Sequence, residues 1–150
     1  REAEGVALVE RLRRGIEATH ARVADRPRRR ALMVVGRNPL VAVGSGNLID
    51  EFLSYAGAEN IAAEFGEWPR LSLEFVVRAA PEVVLDGSMG GEATLDTSFY
   101  EGLGLQAAKG GRVHALILDE VLRPGPRLAA GLERIARLIH PEAFAVTPAP

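Results

Sequence analysis

Apolar residues recur through the first 25 positions at Leu8, Val9, Leu12, Ile16, Ala21 and Val23, the three- and four-residue spacing of one helical face, with arginines over the remaining surface. The spacing predicts one long helix over residues 1–25, stopped at Asp25-Arg26-Pro27. Arg28, Arg29 and Arg30 then read as a solvated loop, a phosphate site being the alternative. Ala31-Leu32-Met33-Val34-Val35 is a continuous apolar run ending at Gly36, the pattern of a strand buried on both faces. Residues 36–47 read as a glycine- and proline-bearing loop. It feeds a helix with Ile49, Phe52, Leu53 and Ala56 on one face and Gly57 at its end.

Residues 59–63 form a short second strand. A helix from Ser72 buries Leu73, Val76 and Val77 and stops before Pro81. Glu82-Val83-Val84-Leu85-Asp86 is a third buried strand, and Gly87-Ser88-Met89-Gly90-Gly91 leaves its carboxyl end as a loop. Two short helical pieces lie between residues 95 and 109, and a fourth strand spans 112–118. The loop 119–127 then leads into a last helix with Leu128, Leu132, Ile135 and Ile139 on its core stripe and Pro126 at its first position. His140-Pro141 closes that helix, and residues 145–150 are a loose tail. Strands alternating with helices imply a parallel sheet with right-handed crossovers.

Composition changes this picture little. A chain of 150 residues with 47% hydrophobic and 25% charged content and a formal net charge of -2 is an ordinary globular domain, which gives nucleic-acid binding no support. The absence of cysteine excludes disulfides and thiolate metal sites without fixing a compartment. No apolar run reaches the length of a membrane span. His20, His114 and His140 lack metal-site spacing and read as structural.

Candidate chemistry gathers around Glu67-Trp68-Pro69-Arg70-Leu71-Ser72-Leu73-Glu74. Pro69 pushes the sole tryptophan toward an extended turn, Ser72 is an N-cap, and Glu74 falls in the first helical turn, where a carboxylate opposes the macrodipole. A ring on a loop and an acidic residue at a helix start are thus presented together, although a core tryptophan and a merely dipole-compensating Glu74 fit the same residues. Pro124 and Pro126 fix the loop that carries Asp119 and Arg123, which stand either at the sheet edge for a ligand or in a structural ion pair. Gly44-Ser45-Gly46 half-matches a dinucleotide turn, with Ile49 where the third glycine belongs, and it fails the serine-nucleophile pattern at Asn47. No catalytic pair of carboxylates is obliged to converge.

With these residues in hand, the chain resembles the C-terminal lobe of class III periplasmic binding proteins, which deliver cobalamin, haem or ferric siderophores to ABC importers. The resemblance runs to about Glu142. It is carried by the order and spacing of Gly36-Arg37-Asn38-Pro39, Gly57-Ala58-Glu59-Asn60-Ile61, Trp68-Pro69 through Glu74, Ala80-Pro81-Glu82-Val83-Val84-Leu85, Gly111-Arg112-Val113 and Arg123-Pro124-Gly125-Pro126-Arg127-Leu128. It implies a three-layer αβα Rossmann-like lobe over 26–142 with a mainly parallel sheet of about four strands. Residues 1–25 would be a rigid helix to an N-terminal lobe outside this chain, and 143–150 a tail. It further implies no enzyme activity and no prosthetic group. The ligand would be a transported metal chelate, cobalamin first and haem or a ferric siderophore as alternatives. By the same resemblance Trp68, Asp119 and Arg123 line the cleft, and Glu74 docks on the membrane permease in an extracytoplasmic setting, with lipid anchoring through the part outside this chain. Cobalamin-binding members carry aromatics near the positions of Val35 and Val41, so the apolar wall at Val41 is thinner here, and Tyr100 is the one tyrosine able to reach a cleft as an axial ligand. A Rossmann-like nucleotide enzyme using Gly44-Ser45-Gly46 and a lobe that self-associates through its long helix are the competing readings.

Overall fold

The apolar run after Arg30 becomes the central strand of a five-stranded sheet in the computed structural model, which describes residues 2–88 and 98–145. The strands are β1 (Arg29–Arg37), β2 (Leu40–Ala42), β3 (Ala58–Asn60), β4 (Val83–Asp86) and β5 (Val113–Ala115). One edge of β1 pairs in parallel with β4, which pairs in parallel with β5; its other edge takes β3 at the start and β2, antiparallel, at the end. The sheet is therefore mainly parallel, with β2 added by a hairpin inside the segment 36–47 that reads in sequence as loop. Leu40 and Ala42 are buried and Val41 half-buried, so the hairpin strand extends the apolar layer.

Helices α1 (Glu2–Val23), α2 (Leu48–Tyr55), α3 (Leu73–Ala79), α4 (Ser98–Gly102), α5 (Gln106–Lys109), α6 (Leu118–Val121) and α7 (Leu128–Ile139) complete three layers. The pleat decides which face each strand residue serves. Ala31, Met33, Val83 and Leu85 meet α1, α2, α6 and α7 through Val23, Phe52, Leu53, Val121, Leu132 and Ile135. Leu32, Val34 and Val84 face the other way, against Val76, Tyr100 and Ala107 of α3, α4 and α5.

Several expectations shift. The strand expected over 59–63 is shorter, because Ala63 already starts a 3-10 turn. The strand expected to reach Leu118 stops at Ala115, so Asp119 stands in α6 rather than on a loop, and α7 starts at Leu128, two residues past Pro126. On α3 only Val76 is buried; Leu73 and Val77, expected in the core, are 43% and 46% exposed. On α1 only Thr19 and Val23 are buried, and Val9 of the expected core stripe is exposed.

The three arginines are not a solvated loop. The C-terminal carbonyls of a helix lack partners within it and carry its negative dipole end, which a guanidinium satisfies. Arg28 donates to Ser54 in the last turn of α2 and to Ala58 at the start of β3, Arg29 to Ile139 at the end of α7, and Arg30 to Ala79 and Ala80 at the end of α3. Arg29 also pairs with Glu142, at 3.2 Å. The half-exposed Glu142 limits the worth of that pair, and the carbonyl bond carries most of the effect. Replacing Arg29 by methionine, which keeps the stem and removes the donors, is expected to lower the unfolding free energy by about 1–2 kcal/mol in urea titrations. Unchanged curves would show that water serves the end of α7 equally well.

Candidate functional site

The tryptophan loop is held by main-chain bonds. Ala42 donates to Pro69, Gly44 to Glu67 at 2.8 Å, Ser45 to Gly66 at 2.8 Å and Leu71 to Leu40, so residues 66–71 run antiparallel along the outer edge of β2 and its continuation. The Asn47 side chain adds a bond to the Glu67 carbonyl while capping α2 through the Asp50 amide. Pro69 is buried beneath the loop, and Trp68 is 49% exposed. A large ring thus stands outward on a backbone that has no alternative place to go.

Gly44 is the condition for that arrangement. A Cβ there would lie 1.7 Å from the Gly66 carbonyl oxygen. The glycine serves the close approach of the protein's own backbone, and Asn47 already satisfies the start of α2. The nucleotide-turn reading of Gly44-Ser45-Gly46 thereby loses its physical basis.

A second construction lies where β1 and β4 end, the carboxyl edge at which α/β sheets hold ligands. Asp86 is fully buried. One carboxylate oxygen accepts from the Ser88 amide and hydroxyl, the other from the Tyr100 hydroxyl and from Arg37 Nε at 2.9 Å. Arg37 lies over the rings of Phe99 and Tyr100, at 5.5 and 5.3 Å from their centroids. Burial pushes the Asp86 carboxyl up, but the hydroxyls of Ser88 and Tyr100, the Ser88 amide and the Arg37 guanidinium outweigh it and hold it below its ordinary value of 3.8. Burial first, and then the carboxylate, push the Tyr100 phenol up. Burial alone would depress Arg37, yet Asp86 and Tyr100 raise it, so the pair is ionised.

The sequence-derived residues fall at separate points on this frame. Trp68 sits beyond β2, across from Val43 in the register that sets Arg70 opposite the half-buried Val41. Asp119 in α6 and Arg123 just after it are both exposed; α6 follows β5, and its Leu118 lies against Gly87 just past the end of β4. Glu74 is exposed in the first turn of α3, whose Ser72 hydroxyl accepts from the Phe75 amide at 3.1 Å. Tyr100 corrects the expectation of a cleft tyrosine. It is 0% exposed and its hydroxyl is committed to Asp86, so it supports the edge from beneath. The loop residues Met89, Gly90 and Gly91 lie outside the described residues.

Sequence reasoning missed the Arg37–Asp86 pair and Asn60. Asn60 donates to Val43 and Asp50 and accepts from Ala62, tying the exit of β2 to α2. The only signals were the motifs Gly36-Arg37-Asn38-Pro39 and Gly57-Ala58-Glu59-Asn60-Ile61. Among the described residues no cluster of three or more histidine, aspartate or glutamate side chains is arranged to hold a metal ion, and no helix is long and apolar enough to cross a membrane.

Against known proteins, the family model described as periplasmic binding protein matches residues 1–113. An uncharacterized ABC transporter substrate-binding lipoprotein of Bacillus subtilis, YvrC, is 29% identical over 107 residues, 70% of this chain and 33% of that protein. The vitamin B12-binding protein of Salmonella choleraesuis is 30% identical over 76 residues, 50% of this chain and 29% of that protein. The periplasmic heme-binding protein BhuT, solved with two hemes, superposes with a TM-score of 0.74 at 28% identity, covering 94% of this chain and 56% of that one. The chain thus spans about a third of the curated relatives it matches.

Two outcomes follow from the geometry. Gly44→Ala is expected to cost about 2 kcal/mol or more through overpacking and to shift the fluorescence of the sole tryptophan; an unshifted spectrum would show that the loop is not wedged on Gly44. Because the folded Asp86 titrates below its unfolded value, its contribution is complete above 3.8 and is lost as pH falls through the folded pKa. Asp86→Asn is therefore expected to cost about 3 kcal/mol at pH 7, with the gap from the parent closing as pH falls below 3.8, in urea titrations across pH.

Proposed function

The chain belongs to the periplasmic binding protein family, and from that membership we propose that it is the C-terminal lobe, with its interdomain helix, of an importer's substrate-binding component, which captures a metal chelate and hands it to a membrane permease. The relatives named above are binding proteins, and the reading assigns this chain binding without chemistry. Residues 26–142 are the lobe, residues 143–150 its tail, and α1 is the rigid connection to a second lobe. The exposed Val6 and Val9, 63% and 54% accessible, support that role for α1, since an apolar stripe of this kind asks for cover. With such a connection the lobes close on the ligand by only a small movement. The setting is extracytoplasmic, and the lipoprotein relative favours a lipid anchor.

The observation that carries the reading is the outward Trp68 on a main-chain-locked loop. An aromatic fixed before binding costs no ordering when a flat, apolar chelate stacks on it. Asp119 and Arg123 supply polar contacts from α6 and the residues after it, with Val41 as apolar wall on β2. The vitamin B12-binding relatives favour cobalamin, and the haem-binding neighbour makes haem the second reading, a ferric siderophore the third. Glu74, exposed at the start of α3, is the permease contact.

Calorimetry of the two-lobed protein against cobalamin, haem and a ferric siderophore discriminates these ligands, and silence from all of them would sink the reading. Trp68→Ala is expected to weaken the chelate that binds by about tenfold or more while leaving the melting temperature within a degree or two. A large stability loss with unchanged affinity would reassign the ring to packing.

A further inference from the structure

We propose that Phe144, in the segment just after α7, is a positioning residue for chelate capture: its ring clasps Arg22 of α1 and Arg137 of α7 and so sets the angle at which α1 carries the second lobe. This role rests on the reading of α1 as the connection between two lobes, and it adds what fixes that connection's direction.

Burial alone does not fix it. A long helix is ordinarily held by a buried apolar face, yet of the 22 residues of α1 only Thr19 and Val23 are buried. The half-buried Ile16 packs against the same core as Val23. At Gly15 the backbone of α1 lies close against α7, since a Cβ there would stand 2.9 Å from that of Ala129. A glycine against an alanine offers no ridge to set a crossing angle, so the contact acts as a fulcrum. Residues 2–14 before it form an arm of about 20 Å, and a tilt of about 10° displaces the start of that arm by about 3 Å.

What opposes the tilt lies past the fulcrum. His20 Nδ1 stands 3.2 Å from the Tyr55 carbonyl oxygen. Arg22 donates to the Ala143 carbonyl at 3.4 Å, and its guanidinium lies over the Phe144 ring, 5.4 Å from the centroid. Arg137 lies over the same ring at 4.8 Å. Two guanidiniums on different helices repel, whereas the negative face of an aromatic ring attracts both. The ring therefore joins α1 to α7 where the two cations by themselves would part. It is itself anchored: residues 141–143 make a 3-10 turn, Glu142 reaches Arg29 at 3.2 Å and Arg26 at 3.6 Å, and Phe144 is buried at the end of the turn. Those ion pairs are partly exposed and weak one by one, which leaves the ring as the part of the clasp that a single substitution removes.

The chain has no cysteine, so nitroxide labels on Glu4→Cys and Glu59→Cys, both exposed positions, report the direction of α1 against the lobe by double electron–electron resonance. The parent is expected to give one narrow distance distribution. Phe144→Leu keeps an apolar side chain and removes the ring face, and Arg22→Gln alters only an exposed side chain. Each is expected to broaden the distribution by about 3 Å while the melt followed by Trp68 fluorescence stays close to the parent's. If Phe144→Leu melts far below the parent, Arg22→Gln alone decides. In the two-lobed protein, calorimetry against cobalamin, haem and a ferric siderophore is expected to show both variants binding about tenfold more weakly whichever of them the parent takes up, because the two walls no longer meet the ligand together. A folded variant whose distribution matches the parent's overturns the clasp and leaves the two-lobe reading standing. Broadened distributions with unchanged chelate affinity overturn the role in capture. A two-lobed parent that binds none of the three brings down the capture reading, and the positioning role of Phe144 with it, however the labelled chain behaves.

Discussion

The fold depends on arginines at both ends of one strand. At the amino end of β1, Arg29 and Arg30, with Arg28 just before them, gather the terminal carbonyls of helices from both faces of the sheet. At the carboxyl end, Arg37 makes the buried charge of Asp86 tolerable. Between them lies an apolar run that feeds both layers of the core. The strand is a spine whose polar ends decide where helices stop and how the carboxyl edge of the sheet is closed. Without the guanidinium at position 37 the buried carboxylate would keep its bonds from Ser88 and Tyr100 but lose the cation that pairs with it, a larger penalty than a single packing contact offsets.

Much of this was legible in the sequence because it is periodic. Leu132, Ile135 and Ile139 follow helical spacing into the core, Val83 to Asp86 reads as a buried run, and Ser72 announces a cap that is present. What was not legible is set by partners distant along the chain. Arg30 meets Ala80 fifty residues away, and Arg29 meets Ile139 at a separation of 110. No local rule distinguishes such arginines from solvated ones. The β2 hairpin escaped notice because glycine and proline around a short apolar stretch read as loop, while its strand character comes from pairing with β1 on one side and residues 66–71 on the other. Tyr100 misled for the opposite reason. A tyrosine near a sheet edge invites a ligand role, and only the buried Asp86 beneath it reveals where its hydroxyl goes.

The candidate site was legible in part. The turn that carries Trp68 followed from the proline after it, whereas its exposure was left open by the sequence, and the helix start placed Glu74. Leu73 and Val77 defeated the helical rule because α3 has only seven residues and presses one of its faces, through Val76, on the sheet. A short helix at the rim shows more of its apolar side than a long one lying across a layer.

The tryptophan loop is tied to β2 by amides and carbonyls, which every residue except proline carries alike. The fold is therefore indifferent to which side chain stands at position 68 and unforgiving at Gly44 opposite. Descendants of this sequence can exchange the indole for another side chain at this outward position without renegotiating the architecture.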